Sequence, residues 1–169
     1  DTLIGAMAED TAAMAIYLGT GGRAAHALVA ATHADTGVVQ DLGVIPAADR
    51  VDAVGVGAKW VYFVASGPQG SALWSHRRLE PATFLIQEWG LTRGEFTKVC
   101  DLCADRRVAG AVFTPEGWLY GLTEGDGQFF KLDLSAENRK VELGGAVHPP
   151  PPKPLAQPHQ PFFSSRLVL

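Results

Sequence analysis

Residues 107–133, RVAGAVFTPEGWLYGLTEGDGQFFKLD, constrain this chain most. They read as three short strands. Val108–Phe113 is apolar and small, Trp118–Leu122 follows a Pro-Glu-Gly turn, and Gln128–Asp133 follows a Gly-Asp-Gly turn. The pattern is not unique to this stretch. Arg50-Val51 precedes Trp60-Val61-Tyr62 as Arg107-Val108 precedes Trp118-Leu119-Tyr120, and Ile16-Tyr17 holds the same place earlier still. After each Tyr comes Gly19-Thr20, Ala65-Ser66 or Leu122-Thr123. The units end alike, on Val39-Gln40-Asp41-Leu42, Val99-Cys100-Asp101-Leu102 and Val141-Glu142-Leu143. A repeat of about 50 residues with four strands per period is the signature of stacked β-sheets around an axis.

The remaining strands follow from turn signals and apolar runs. Leu3–Ala8, Met14–Leu18, Ala24–Thr32 and Val38–Leu42 make the first unit, although the alanines of Ala24–Thr32 also suit a short helix. Val51–Val56, Trp60–Ala65, Ser71–Arg78 and Glu95–Leu102 make the second, with an irregular arm over residues 79–94 whose returning limb is Thr83–Trp89. Arg139–Leu143 closes the third. Nineteen Gly, eleven Pro and 19% charged residues in 169 fit a turn-rich all-β protein.

In these features the chain resembles the β-propeller repeat superfamily. The residues that carry the resemblance are the small apolar first strands, Pro-Glu-Gly before Trp118-Leu119-Tyr120, Gly-Thr after Tyr17, and Asp35-Thr36-Gly37-Val38-Val39 leading to Asp41-Leu42-Gly43. The resemblance implies an all-β fold of three four-stranded propeller-type blades, over residues 1–47, 48–104 and 105–147. Propellers usually close with 4–8 blades, so three span about half a ring. Three arrangements satisfy this: pairing with another copy or another protein, membership of a longer chain, or a different compact packing of the sheets.

Residues 148–169 form a second region. Val147–Pro161 holds seven prolines and is expected to run extended, and Phe162–Leu169 returns to strand-like composition. The run reads as a spacer or as a strap carrying the last strand to a partner or back to the first blade.

A formal net charge of −4 and the lack of a Lys/Arg-rich run argue against a nucleic-acid partner. No apolar stretch approaches a membrane span. The chain begins at Asp1 without a leader, which fits a secreted, periplasmic or organellar protein after cleavage, or a piece of a longer one. The single Cys100-x-x-Cys103 pair cannot complete a zinc site and reads as two thiols or a local disulfide. His26, His33, His76, His148 and His159 show no metal-ligand spacing, and neither a metal nor a cofactor is expected. The serine-nucleophile motif is also missing.

Candidate ligand-binding residues come from the repeat and from its irregularities. Arg50 and Arg107 lie just before the first strand of a unit, where a propeller opens onto its channel, and a guanidinium fork there suits a carboxylate. Glu124 and Asp126, on a loop reaching the same face, are the nearest acids. The competing reading pairs each Arg with an acid to fix the turn between units. Trp74 and His76 sit on the non-repeating arm of the second unit; exposed, Trp74 suits partner binding or sugar stacking, and buried, it caps the hairpin. The leading expectation is a non-catalytic protein-interaction or scaffold module, completed as a homo-oligomer or within a larger complex. The alternatives are a carbohydrate-active lyase or hydrolase, or a lactone hydrolase, at the channel face, and a lectin-like domain for a glycan or small-molecule ligand.

Overall fold

The computed structural model describes residues 3–32, 39–79, 95–135 and 140–146. Twelve strands and no helix occur among them. They are β1 (Leu3–Asp10), β2 (Ala15–Gly21), β3 (His26–Ala31), β4 (Val39–Val44), β5 (Arg50–Val56), β6 (Trp60–Gly67), β7 (Gly70–Arg77), β8 (Thr97–Ala104), β9 (Val108–Phe113), β10 (Trp118–Thr123), β11 (Gln128–Asp133) and β12 (Glu142–Ala146). β1 to β8 form one curled eight-stranded sheet and β9 to β12 a second, four-stranded one. Every pairing is antiparallel. This all-β architecture is compatible with a propeller-like fold.

Pairing is almost entirely between sequence neighbours. β1–β4 run as one meander, β5–β8 as another and β9–β12 as a third. One bridge, Gly21 opposite Arg50, joins the first two into a single sheet. The ambiguous Ala24–Thr32 segment is a strand for a clear reason. Ala27, Val29 and Ala31 are buried while His26, Leu28 and Ala30 are half-exposed, a period of two that no helix produces. The last strand lies three residues later than its sequence suggests, because Glu142 pairs opposite Lys131 and closes an ion pair there at 2.8 Å. The turn at Asp35–Gly37, the arm limb Thr83–Trp89, the strap 148–169, and His33, His148 and His159 lie outside the described residues.

Two cores separate the three meanders. The first joins Tyr17, Val29, Leu42 and Ile45 to Val51, Val61, Phe63 and Ala65. The second joins Tyr62, Val64, Leu73 and Leu102 to Val108, Leu119, Phe130 and Leu132. β6 therefore divides its side chains between them and is buried on both faces, as a continuous apolar run requires. Each fully buried aromatic or aliphatic side chain here contributes roughly 1.5–3 kcal/mol relative to exposure. Phe113 of β9 stacks on Tyr62 across the second core, centroids 6.3 Å apart.

The first strands of the meanders approach most closely. A Cβ on Gly5 would lie 2.6 Å from the Val51 carbonyl oxygen, one on Gly19 2.3 Å from the Val51 side chain, and one on Gly55 2.3 Å from the Phe113 ring. Only glycine permits that separation. A groove of about 520 Å³ runs along β1, β5 and β9, and its lining includes the small residues Gly5, Ala6, Gly55 and Ala111.

Candidate functional site

The turns that enter β5 and β9, and the ends of β6 and β10, converge on one edge of the molecule. The backbone builds this first. Asp49 N–H donates to the Ser66 carbonyl, Gly22 N–H to the Asp49 carbonyl, and Glu124 N–H to the Arg107 carbonyl. The entering turns contain two residues with left-handed backbone, Ala47 at φ 56° and Asp105 at φ 57°.

Charged side chains then lock across the turns. Arg107 makes a two-pronged contact with Asp49, both N···O distances 2.6 Å. Arg50 donates from Nε to Asp52 at 2.5 Å and from Nη2 to the Val108 carbonyl and to Glu124, each at 2.8 Å. The Ser66 hydroxyl donates to Asp52 and accepts from Val108 N–H. Arg106 reaches Asp126 at 2.6 Å and Gln128 at 2.9 Å, and Asp126 also accepts from the Thr123 hydroxyl at 2.8 Å.

Position sets the electrostatics of each acid. The Arg107 side chain holds the Asp49 carboxyl below the ordinary carboxylate range. Burial pushes the Asp52 carboxyl up, against the hydrogen bonds from Ser66 and Arg50 that favour its charge. The Thr123 hydroxyl holds Asp126 down.

Four of the six sequence candidates gather here. Arg50 and Glu124 touch directly, Arg107 sits on Asp49, and Asp126 belongs to the adjoining Arg106 cluster. Each guanidinium faces carboxylates of the chain itself, so an incoming carboxylate at Arg107 would displace Asp49. Asp52 and Ser66 were not singled out from sequence. Their signal was present: Asp52 is a lone acid inside the apolar run Arg50–Val56, which calls for a buried partner.

Trp74 and His76 stand apart, on β7. Trp74 lies opposite Phe63 and Lys98 in the strand ladder and packs, half-buried, on the first core. His76 is fully buried with its ring 5.1 Å from Phe96 and its Nδ1 2.8 Å from the Arg77 carbonyl. Among the described residues its Nε2 has no hydrogen-bond partner. Burial pulls its pKa below the ordinary 6.5. The two tryptophans that recur in the repeat differ as well. Trp60 is 42% exposed and lines a cleft of about 630 Å³ beside Lys59, Arg77 and Arg78. Trp118 lies half-exposed on β10, stacked on Tyr120 at 6.1 Å with Lys131 Nζ 5.5 Å from its ring centre.

Among the described residues no group of three or more His, Cys, Asp or Glu side chains is placed to hold a metal ion. Cys100 and Cys103 are thiols, and burial raises the pKa of Cys103. No helix among the described residues is long and apolar enough to cross a membrane. The chain matches no family model, and no curated protein shows significant similarity to it.

Proposed function

We propose that this chain is a non-catalytic protein-interaction module built from three propeller-type blades, β1–β4, β5–β8 and β9–β12. Its contact surfaces are the two outer sheet faces. One observation carries the reading: the middle sheet is covered on both faces, whereas the outer sheets keep large apolar side chains in water. Met7 is 65% exposed and Val39 53% exposed on the first sheet, and Val112 is 58% exposed on the third. Next to Val112 the stacked Trp118, Tyr120 and Phe129 rings extend the apolar surface, with centroids 6.1 and 6.0 Å apart. Contiguous apolar surface of this kind, with aromatic residues concentrated in it, marks protein contact sites.

The charged edge fits the same reading. Its arginines are engaged with acids of the chain, and they tie the second sheet to the third. That arrangement supports a structural role in which function falls to the open faces.

The test is capture from native extract with the wild-type chain and with Leu122→Glu, which puts a charge on the third sheet's open face. A specific set of proteins, retained by the wild type and lost by a folded Leu122→Glu, is the expected result. An identical set for both, with the same loss absent for Met7→Glu on the first sheet, overturns the reading.

A further inference from the structure

The two interfaces inside the molecule are copies of one another, and the copying extends to residue positions. Tyr17, Tyr62 and Tyr120 occupy equivalent sites on the second strand of their sheets. Tyr17 points into the first core, toward the second sheet, and Tyr62 into the second core, toward the third sheet. Tyr120, by the same rule, faces forward, and no sheet of the described residues stands there. It is half-exposed, opposite Val112 and Lys131 in the ladder. The neighbouring positions face backward. Leu119 is buried against the second sheet and Val61 against the first. Ile16, equivalent to both, is half-exposed on the outer face with Leu18, which is equivalent to the buried Phe63. Met7, Leu28, Ala30 and Val39 surround them, as the strand registers require.

The chain thus carries two complete examples of one sheet-to-sheet contact and the two unmatched halves of a third. The forward half is on the third sheet and the backward half on the first. Resting on the interaction reading above, we infer that the partner is a second copy of this chain, docked head to tail, the Tyr120 face of each copy on the Ile16–Leu18 face of the other. A contact between unlike faces either closes into a ring or grows into a filament. Two copies of three sheets close at six, within the usual range of 4–8 for such rings.

Size favours closure over a single contact. Four strands about 4.8 Å apart and about 20 Å long give each face a plane of roughly 400 Å². One such contact falls at the weak end of protein interfaces, and two made together approach the standard size of about 1,600 Å² in total. The second contact is intramolecular once the first has formed, which strengthens the pair without any new chemistry.

Sedimentation velocity on the purified full chain tests this, from about 1 to about 100 μM, the range that brackets micromolar self-association. The wild type is expected to populate a two-copy species. Tyr120→Asp and Leu18→Asp, each on a different face, are each expected to be monomeric. Mixed in equal amounts they retain one good face each, so the mixture regains a two-copy species, at about tenfold or more higher concentration than the wild type. Leu122→Glu and Met7→Glu serve as the same pair if either first variant fails to fold. A monomeric wild type overturns the inference. So does loss of association in only one of the two face variants, which means like faces pair, or a mixture that stays monomeric. None of these outcomes touches capture from native extract, so self-pairing can fail while the interaction reading stands.

Discussion

His76 is the residue whose chemistry and position disagree most. It lies buried against Phe96, with Nδ1 bonded to the Arg77 carbonyl and Nε2 without a partner among the described residues. Protonating it means burying a cation in an apolar setting. Its folded pKa is accordingly lowered from 6.5. The unfolded chain takes up a proton near pH 6.5 and the folded chain does so only at lower pH, so stability is lost as pH falls below 6.5. The slope approaches about 1.4 kcal/mol per pH unit for one full proton. Urea midpoints of wild type and His76→Phe measured between pH 7.5 and about 5 check this. The wild type should lose stability on acidification and the variant should lose less; parallel curves would sink the assignment. In the sequence, His76 is a ligand candidate because it sits with Trp74 on the non-repeating arm of the second unit. Part of its burial comes from Phe96, just before β8, and no local pattern reports that. Arg50 and Arg107 are legible as positions, since they recur. The partner of Arg107 is not, because Asp49 is brought to it from another meander, whereas Asp52 lies two residues from Arg50 on β5.

At the scale of the strand, sequence was most informative. Ten or more strand positions follow from alternation and turn glycines, and Val108–Phe113 and Gln128–Asp133 agree with β9 and β11 residue for residue. What alternation cannot give is how close two strands come. Gly55 illustrates this. In sequence it is a weak point in an apolar run, and in the fold it admits the Phe113 ring. Gly55→Ala places a methyl group 2.3 Å from that ring, so β5 and β9 must separate or Phe113 must leave Tyr62. Overpacking of this kind costs about 1–3 kcal/mol. Chemical denaturation should show that loss, and Gly110→Ala, where a methyl meets open space, should show much less. Equal losses at both positions would mean that the effect is strand propensity and not contact.

Across the whole molecule the three meanders are tied at their edges by charge. Arg107 with Asp49 joins the third meander to the second, and Arg78, just after β7, joins the second to Asp10 of the first, at 2.5 Å for both donor nitrogens. The second tie is the stronger, because the Asp10 side chain is 2% exposed. Burial opposes its charge, yet the Arg78 and Ala13 hydrogen bonds hold its pKa below 3.8. Its contribution is present above pH 3.8 and is lost as pH falls through the lower folded value. Arg78→Ala strands a buried carboxylate and should cost about 3–5 kcal/mol at neutral pH. Arg107→Ala, at a tie that is partly solvated, should cost no more than about 1 kcal/mol. Thermal unfolding of both variants separates these values, and equal shifts would contradict the ranking. The sequence made three units visible by repetition. Their order of contact follows from that repetition, but the strength of each tie depends on solvent access, which exists only once the sheets are stacked.

The glycines along the groove have one more consequence. They let the first strands converge, while β4, β8 and β12 show no comparable approach among the described residues. Each meander is therefore a wedge whose thin end is β1, β5 or β9. The angle of a wedge fixes how many fill a circle. Under the proposed head-to-tail ring, the bulk of the side chain at Gly5 and Gly55 sets that angle, and with it the number of units, without altering a single residue on the open faces.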